Sequence, residues 1–326
     1  MPDFTLIVAQ GAFATAVAAT LDLLSTAALI APRLKRPTPT WRVCALGDGP
    51  LRLSNGLSLD AKPLTLSSKP DRSIWVIPGL ATNTPAAVAA RLLQPDVVQA
   101  IALLQAHMKR GGAVAASCSA VFLLQAAGLL KDRKATTTWW LAPQLQALEP
   151  GCRVDANRMV IDDGPVWTAG AAFAHTDLML QLLRARFGAE LASAVARALL
   201  IDGREAQSPF IVPAMMANGN ALVADLTARI EAALPDIPSV ARLAAELCLT
   251  ERTLARRIQA ATGKSPSALI QFVRLKHARL LLETSELSVD RIAERVGYRD
   301  ATALRRLMRK VFATTPRHYR KAASLS

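Results

Sequence analysis

Up to about residue 200, short apolar runs alternate with stretches of helical period; beyond Ala221 only the helical period remains. Residues 4–9 are apolar at nearly every position, as in a strand buried on both faces, and apolar residues recur at helical spacing over 15–30 after the break at Gln10-Gly11. Residues 41–46 and 73–77 read as further strands, the latter stopped by Pro78-Gly79, with a polar hairpin-like stretch over 51–66 that turns at Ser54-Asn55-Gly56. A helix over 95–110 leads through Gly111-Gly112 into a strand at 113–116, and Ser117-Cys118-Ser119 heads another helix. A late strand at 167–170 and a helix at 176–187 follow. Strands alternating with helices predict an α/β domain built on a mostly parallel sheet covered on both faces.

The C-terminal pattern is all helical, with segments predicted at 221–233, 239–247, 251–261, 266–283, 288–295 and 301–312. It also repeats. Ser239-Val240-Ala241-Arg242-Leu243-Ala244 returns as Ser288-Val289-Asp290-Arg291-Ile292-Ala293, and Ser265-Pro266 as Thr315-Pro316. The openers are offset by 49 positions and the closers by 50, which places one extra residue in the turn of the second copy. Within each copy a turn precedes a basic helix. Leu243, Ala244 and Leu247 are spaced to meet Leu254 and Ile258; Ile292, Ala293 and Val296 to meet Leu304, Leu307 and Met308. Two helix-turn-helix units in one small domain point to a reader of double-stranded DNA. Between the halves, residues 202–213 carry Gly203, Pro209 and Pro213 without a clear period. The expected division is therefore 1–202, a linker at 203–220, and 221–326.

Charge sharpens this picture. The chain has a formal net charge of +14, and residues 220–326 hold 19 Lys/Arg against 10 Asp/Glu. A compact basic region suits a phosphate backbone. Exposed residues early in the two basic helices are the candidate DNA contacts: Arg252, Thr253, Arg256 and Arg257 in the first unit, Thr302, Arg305 and Arg306 in the second. Arginine serves both guanine edges and phosphates, so readout and positioning stay unseparated at this stage. The 52% hydrophobic content excludes a mainly disordered chain. Cys44, Cys118, Cys152 and Cys248 lack C-x-x-C spacing, which argues against a zinc site and a secreted disulfide framework and for a reducing cytoplasm; no metal or other cofactor is expected. The apolar N-terminus lacks a basic leader and is interrupted by Gly11 and Asp22. A strand and buried helix are expected there in preference to a membrane span.

Residues 220–322 resemble the DNA-binding domain of the AraC/XylS family of bacterial regulators. The resemblance is carried by Ala278-Arg279-Leu280-Leu281-Leu282-Glu283, Leu287-Ser288-Val289, Ile292-Ala293, Val296-Gly297-Tyr298 and Pro316-Arg317-His318-Tyr319-Arg320. It implies a connecting helix over 272–283 between the two units, which enter successive major grooves on one face of DNA.

Cys118 follows a small-residue strand and precedes a helix, a position that lowers a thiol pKa and favours a nucleophile. Ser117-Cys118-Ser119-Ala120-Val121-Phe122-Leu123-Leu124, Ala127-Gly128-Leu129-Leu130 and Lys134-Ala135-Thr136-Thr137 resemble the elbow and following segment of the DJ-1/PfpI superfamily, itself related to class I glutamine amidotransferases. By that resemblance Pro78-Gly79 matches the turn that supplies an oxyanion-hole amide in hydrolytic relatives. The fold implied over 4–190 is a DJ-1/PfpI-like parallel-sheet sandwich. Thr138 stands where such relatives carry histidine, and residues 14–20 contain no carboxylate, so the elbow lacks its acid-base machinery and no catalytic residue is assigned.

A ligand site at the C-terminal ends of the strands remains. Its candidates are Cys118, Gly79, Thr138, the aromatic pair Trp139 and Trp140, Phe173, and His175 at a pocket rim. The pairing of domains resembles the GlxA-like branch of AraC regulators, which implies a sensor of an amino acid or amine. The expectation is a homodimeric, non-enzymatic transcription regulator with a small-molecule effector, and RNA polymerase as a candidate further partner. The alternatives are a cysteine hydrolase or amidase with an appended DNA-binding module, and an oxidant sensor acting through Cys118.

Overall fold

The computed structural model describes residues 1–47, 49–66, 70–201, 204, 206–207, 220–312 and 315–323, and divides into two compact units, 1–207 and 208–326. In the first unit the chain runs β1 (Phe4–Val8), α1 (Ala14–Ile30), β2 (Trp41–Ala45), β3 (Leu51–Arg52), β4 (Ser58–Leu59), β5 (Lys62–Pro63), β6 (Ile74–Ile77), α2 (Pro85–Leu92), α3 (Pro95–Lys109), β7 (Ala113–Ser117) and α4 (Val121–Ala126). It continues with β8 (Lys134–Ala135), α5 (Ala142–Leu148), β9 (Arg153–Val154), β10 (Val160–Asp163), β11 (Val166–Ala169), α6 (Ala174–Phe187) and α7 (Ala189–Ala198).

The main sheet has the order β10-β11-β7-β6-β1-β2-β5 and is parallel except for β10, which pairs antiparallel with β11. Phe4 of β1 registers with Trp41 on one side and Ile74 on the other, and Ile74 with Ala113 of β7. The period-2 geometry of a strand sends alternate residues to opposite faces. Ile7, Trp75, Ile77 and Val114 join Val97, Leu104 and Phe122 in one core, while Leu6, Val8 and Val76 join Leu23, Leu24, Leu178 and Leu182 in the other. Both faces are therefore covered, which is why the central strands read as unbroken apolar runs. The N-terminal segment Ala14–Leu34 is long and apolar enough to cross a membrane, yet Val17, Leu23, Leu24 and Ala27 are buried within this unit's second core. The antiparallel strand β10 and helices α2, α5 and α7 were not legible in the periodicity.

Gln10-Gly11 ends β1 with Gly11 at φ 74°, and Gly128 at φ 71° ends α4. Cys118, at φ 56° between β7 and α4, is the exception that no glycine explains.

The second unit contains α8 (Ala221–Ala232), α9 (Val240–Glu246), α10 (Glu251–Thr262), α11 (Pro266–Thr284), α12 (Val289–Arg295), α13 (Ala301–Phe312) and α14 (Pro316–Ala323). Its helices start where the sequence supplies a cap. Ser239, Thr250, Ser265 and Ser288 each accept a backbone N–H three residues on at 3.2 Å, and Asp300 accepts that of Ala303 at 2.8 Å. The connecting helix begins at Pro266, as the period over 266–283 predicts and earlier than the 272–283 that the resemblance implies, because proline fits the first turn of a helix and Ser265 caps it. Pro266 and Pro316 thus open the following helices as well as closing the repeats. Leu269, Phe272, Leu275, Ala278 and Leu282 are buried, and α11 packs against α8, α10, α12, α13 and α14. The expected linker at 203–220 lies outside the described residues apart from Arg204, Ala206, Gln207 and Asn220.

Candidate functional site

At Cys118 a left-handed backbone costs a residue with a Cβ roughly 1–2 kcal/mol, so the surroundings must impose it. The N–H of Cys118 donates to the carbonyl of Gly170 at 2.9 Å, and its own carbonyl accepts from Thr137 Oγ1 at 2.8 Å. Gly79 lies against it: a Cβ there would sit 2.8 Å from Cys118 Cβ and 3.3 Å from Sγ, so only glycine fits. Alongside, the N–H of Leu80 donates to Ser119 Oγ at 3.1 Å. The turns predicted around Gly79 and Cys118 do meet.

Burial pushes Cys118 up to about 11, against which the backbone amide and hydroxyl of Ser119 pull weakly down. Desolvation of the thiolate outweighs the helix-end field that sequence reasoning relied on.

His175 is not at a rim; it is fully buried. Thr20 spends its hydroxyl proton on the carbonyl of Ala16 at 2.9 Å, so its oxygen accepts from Nε2–H of His175 at 2.7 Å, and Nδ1 accepts from Ser117 Oγ–H at 2.8 Å. Both ring nitrogens are committed, and neither serves Cys118 as a base. Burial holds the imidazole down to about 4.

Thr138 is fully buried and, among the described residues, its hydroxyl has no hydrogen-bond partner. Trp139 is buried and Trp140 half-buried, their rings edge to face at 5.0 Å. Trp140 Nε1 donates to the carbonyl of Asn83 at 3.0 Å, tying the pair to the loop after β6. Phe173, at 58% exposed, lies on the surface.

In the second unit Leu243, Ala244, Leu254 and Ile258 form one buried contact and Ile292, Ala293, Val296, Leu304 and Met308 its counterpart; Leu247 and Leu307 are half-buried. The turns carry Cys248 at φ 53° and Gly297 at φ 80°, still offset by 49, whereas the caps Thr250 and Asp300 are offset by 50. The extra residue therefore lies inside the second turn. With the helices in register, Arg252 corresponds to Thr302 and Arg256 to Arg306. Arg252, Arg256, Arg257, Thr302, Arg305 and Arg306 are exposed. Thr253 is half-buried, and its oxygen already accepts from Thr250 Oγ1 at 3.0 Å.

A family model of a helix-turn-helix domain matches residues 243–322, and one of the DJ-1/PfpI family matches residues 85–185. The chain joins a DJ-1/PfpI domain to an AraC-type helix-turn-helix domain. It is 27% identical over 91% of its length to the HTH-type transcriptional regulator GlxA of Rhizobium meliloti, covering 90% of that protein. Similarity at 26% identity extends over 88% of the chain to the HTH-type transcriptional regulator CdhR of Pseudomonas aeruginosa, of which it covers 83%. The fold of an AraC family transcriptional regulator from Pseudomonas putida matches 61% of this chain and all of that one, at 22% identity and a TM-score of 0.51.

Sequence reasoning missed one cavity of the DJ-1/PfpI domain. A cleft of about 680 Å³ opens beside Gln10, Gly47, Arg91, Asp96 and Gln99, and none of the expected ligand residues lines it. Arg91 donates to both carboxylate oxygens of Asp96, at 2.7 and 2.6 Å, and holds that carboxyl below its ordinary range. Gln10 and Gly47 follow the C-terminal ends of β1 and β2, the one signal that could have located it.

The buried His175 makes the DJ-1/PfpI domain acid-sensitive. Its ring is neutral in the folded domain, while the unfolded chain takes up a proton below about pH 6.5. The stability is therefore complete above that pH and falls as pH drops towards 4, by about 3 kcal/mol from this one group. Urea unfolding between pH 7 and 4.5 should show a shallower pH dependence for His175→Gln than for the wild type.

Proposed function

We propose that the chain is a sequence-specific DNA-binding transcription regulator of the cytoplasm, with its activity set by a small effector, an amino acid or amine, held in a non-catalytic DJ-1/PfpI domain. The observation that carries the DNA-binding reading is the pair of capped helices α10 and α13, which present Arg256 and Arg306 at equivalent exposed positions. The HTH-type regulators to which the chain is similar over most of its length support the same reading. A homodimer places two such domains on paired half-sites. The test is binding of the purified protein to DNA upstream of its own and neighbouring genes. Binding that is sequence-selective and weakens steeply with salt supports the proposal; equal affinity for unrelated DNA removes it.

The effector site is proposed at the Cys118 turn, against which Gly79 lies, to include Thr138, Trp139 and Trp140, which follow the Thr137 that binds the Cys118 carbonyl, with Phe173 at the surface and His175 bonded to Ser117. The hydroxyl of Thr138 favours this location, because a buried hydroxyl without a partner gains most from a ligand that supplies one. A thermal-shift screen of amino acids and amines on the full chain tests it. Thr138→Val should abolish the shift produced by a hit, and loss of the shift in Arg91→Ala alone would instead place the effector in the 680 Å³ cleft. The left-handed Cys118 turn also admits the hydrolase reading, but a buried thiol held near 11, with His175 committed elsewhere, weighs against turnover.

A further inference from the structure

We propose that Gln207 is a latch through which occupancy of the Cys118 turn controls the start of the connection to the helix-turn-helix domain. The inference rests on the effector reading above and adds the route by which the signal leaves the DJ-1/PfpI domain.

Gln207 is the last residue of the first unit, and it is 2% exposed. Its backbone N–H donates to the carbonyl of Asn157 at 2.7 Å, and the neighbouring Ala206 bridges antiparallel to Arg158. The side-chain amide fills a nest of backbone groups. Nε2 donates among Thr136 Oγ1 and the carbonyls of Thr137, Ala156 and Arg158, at 3.0 to 3.2 Å, while Oε1 accepts from the N–H of Ala171 at 2.9 Å. Just upstream, Arg204 donates to Asp177 Oδ2 and to the carbonyl of Phe173, both at 2.6 Å, and so ties the same chain end to the start of α6.

The residues that hold Cys118 are the ones Gln207 touches. The Cys118 N–H is bound by the carbonyl of Gly170, and a Cβ at Gly170 would lie 2.1 Å from Gln207 Cδ. The Cys118 carbonyl is bound by the hydroxyl of Thr137, whose own carbonyl accepts from Gln207 Nε2. A ligand that shifts Thr137 or the Gly170-Ala171 segment cannot leave the amide of Gln207 in place. A ligand that displaces these groups costs the buried amide part of its hydrogen bonding, so the balance between a seated and a released Gln207 shifts with occupancy of the turn. Linkage makes the coupling reciprocal: if occupancy of the turn favours release of Gln207, release of Gln207 favours opening of the Cys118 turn.

That reciprocity is the test, performed on the full chain with iodoacetamide as the probe and mass spectrometry of the Cys118 peptide as the readout. Gln207→Met keeps the volume but removes the amide, and Gly170→Ala drives the amide out. Each is expected to speed Cys118 alkylation by about 5- to 150-fold, the range of ordinary allosteric coupling. Conversely, alkylating Cys118 in the wild type should accelerate amide hydrogen exchange at Ala206 and Gln207. Gln207→Met should also shift Kd for the upstream DNA that the purified protein binds selectively. Unchanged alkylation in both variants, with circular dichroism showing an intact fold, overturns the latch; so does opening of Cys118 with Kd unaltered. If the variants do not fold, the exchange measurement on alkylated wild-type protein decides by itself. A protein that binds no DNA selectively sinks the regulator reading, whereas selective DNA binding with an indifferent Gln207 sinks only the latch.

Discussion

Replacing Arg256 and Arg306 together with alanine is expected to weaken specific DNA binding by roughly 30- to 20,000-fold, at about 1–3 kcal/mol for each side chain. The two residues stand at equivalent positions of α10 and α13, both exposed, on helices whose packing is supplied by Leu254, Ile258, Leu304 and Met308. Their loss should leave the thermal midpoint nearly unchanged, since exposed substitutions away from caps and cores usually shift stability by less than about 0.5 kcal/mol. The single variants separate readout from positioning. A residue on a base edge relaxes sequence preference at its position, whereas one on a phosphate weakens all sequences alike and lowers the salt slope by about 1. Arg36→Ala, on the first unit and paired with Glu190, serves as the control with unchanged affinity. Electrophoretic or fluorescence binding at two or three salt concentrations is sufficient; full retention of affinity in the double variant sinks the assignment of these helices as the readers.

Gly297→Val should unfold or misplace the second helix-turn-helix unit, and its counterpart in the repeat should respond in the opposite sense. Gly297 has φ 80°, and a Cβ there would lie 2.4 Å from the carbonyl oxygen of Pro235 and 3.1 Å from Arg274 Nη2. The guanidinium of Arg274 donates to the carbonyl of Gly297 at 3.2 Å and lies 5.6 Å over the ring of Tyr298, so it has little freedom to retreat. Left-handed strain on a β-branched residue combined with a clash against backbone makes a loss of about 3 kcal/mol or more the expected scale. At Cys248 the same left-handed turn is occupied by an exposed residue with a Cβ, at φ 53°. Cys248→Gly removes that strain at the cost of a more flexible unfolded chain, and a net gain of about 0.5–1 kcal/mol is expected. Thermal or urea unfolding of the two variants checks the pair, and a stabilised Gly297→Val would show that the close approach to Pro235 is misjudged.

Much of the DNA-binding domain was legible because its determinants are local. The capping residues Ser239, Thr250, Ser265 and Ser288 lie within a few positions of the amides they satisfy, and the 49/50 offset exposed both the duplication and the longer second turn. In the first unit the central strands were readable for a similar reason: burial on both faces writes an unbroken apolar run into β1, β6 and β7. The weaker elements escaped. Strand β10 ends on the consecutive Asp162 and Asp163 and so shows no alternation, and the short helices α2 and α5 carry too few turns for a period to emerge.

The candidate site divides along the same line. A turn at Pro78-Gly79 and a strand-to-helix turn at Cys118 are written in the chain itself, and that the two face each other is what the DJ-1/PfpI resemblance implied. Whether the thiol is reactive, which partners His175 has, and what Gln207 holds depend on contacts between residues far apart in sequence: Thr20 with His175, Ser117 with His175, Thr137 with Gln207. The sequence alone therefore determined the two domain types, the duplicated reader and the position of the turn. Only the tertiary structure decided that the Cys118 turn is buried, its thiol pushed up by that burial and its backbone latched to the end of the domain, because desolvation and hydrogen-bond satisfaction are properties of the packed surroundings and not of local spacing.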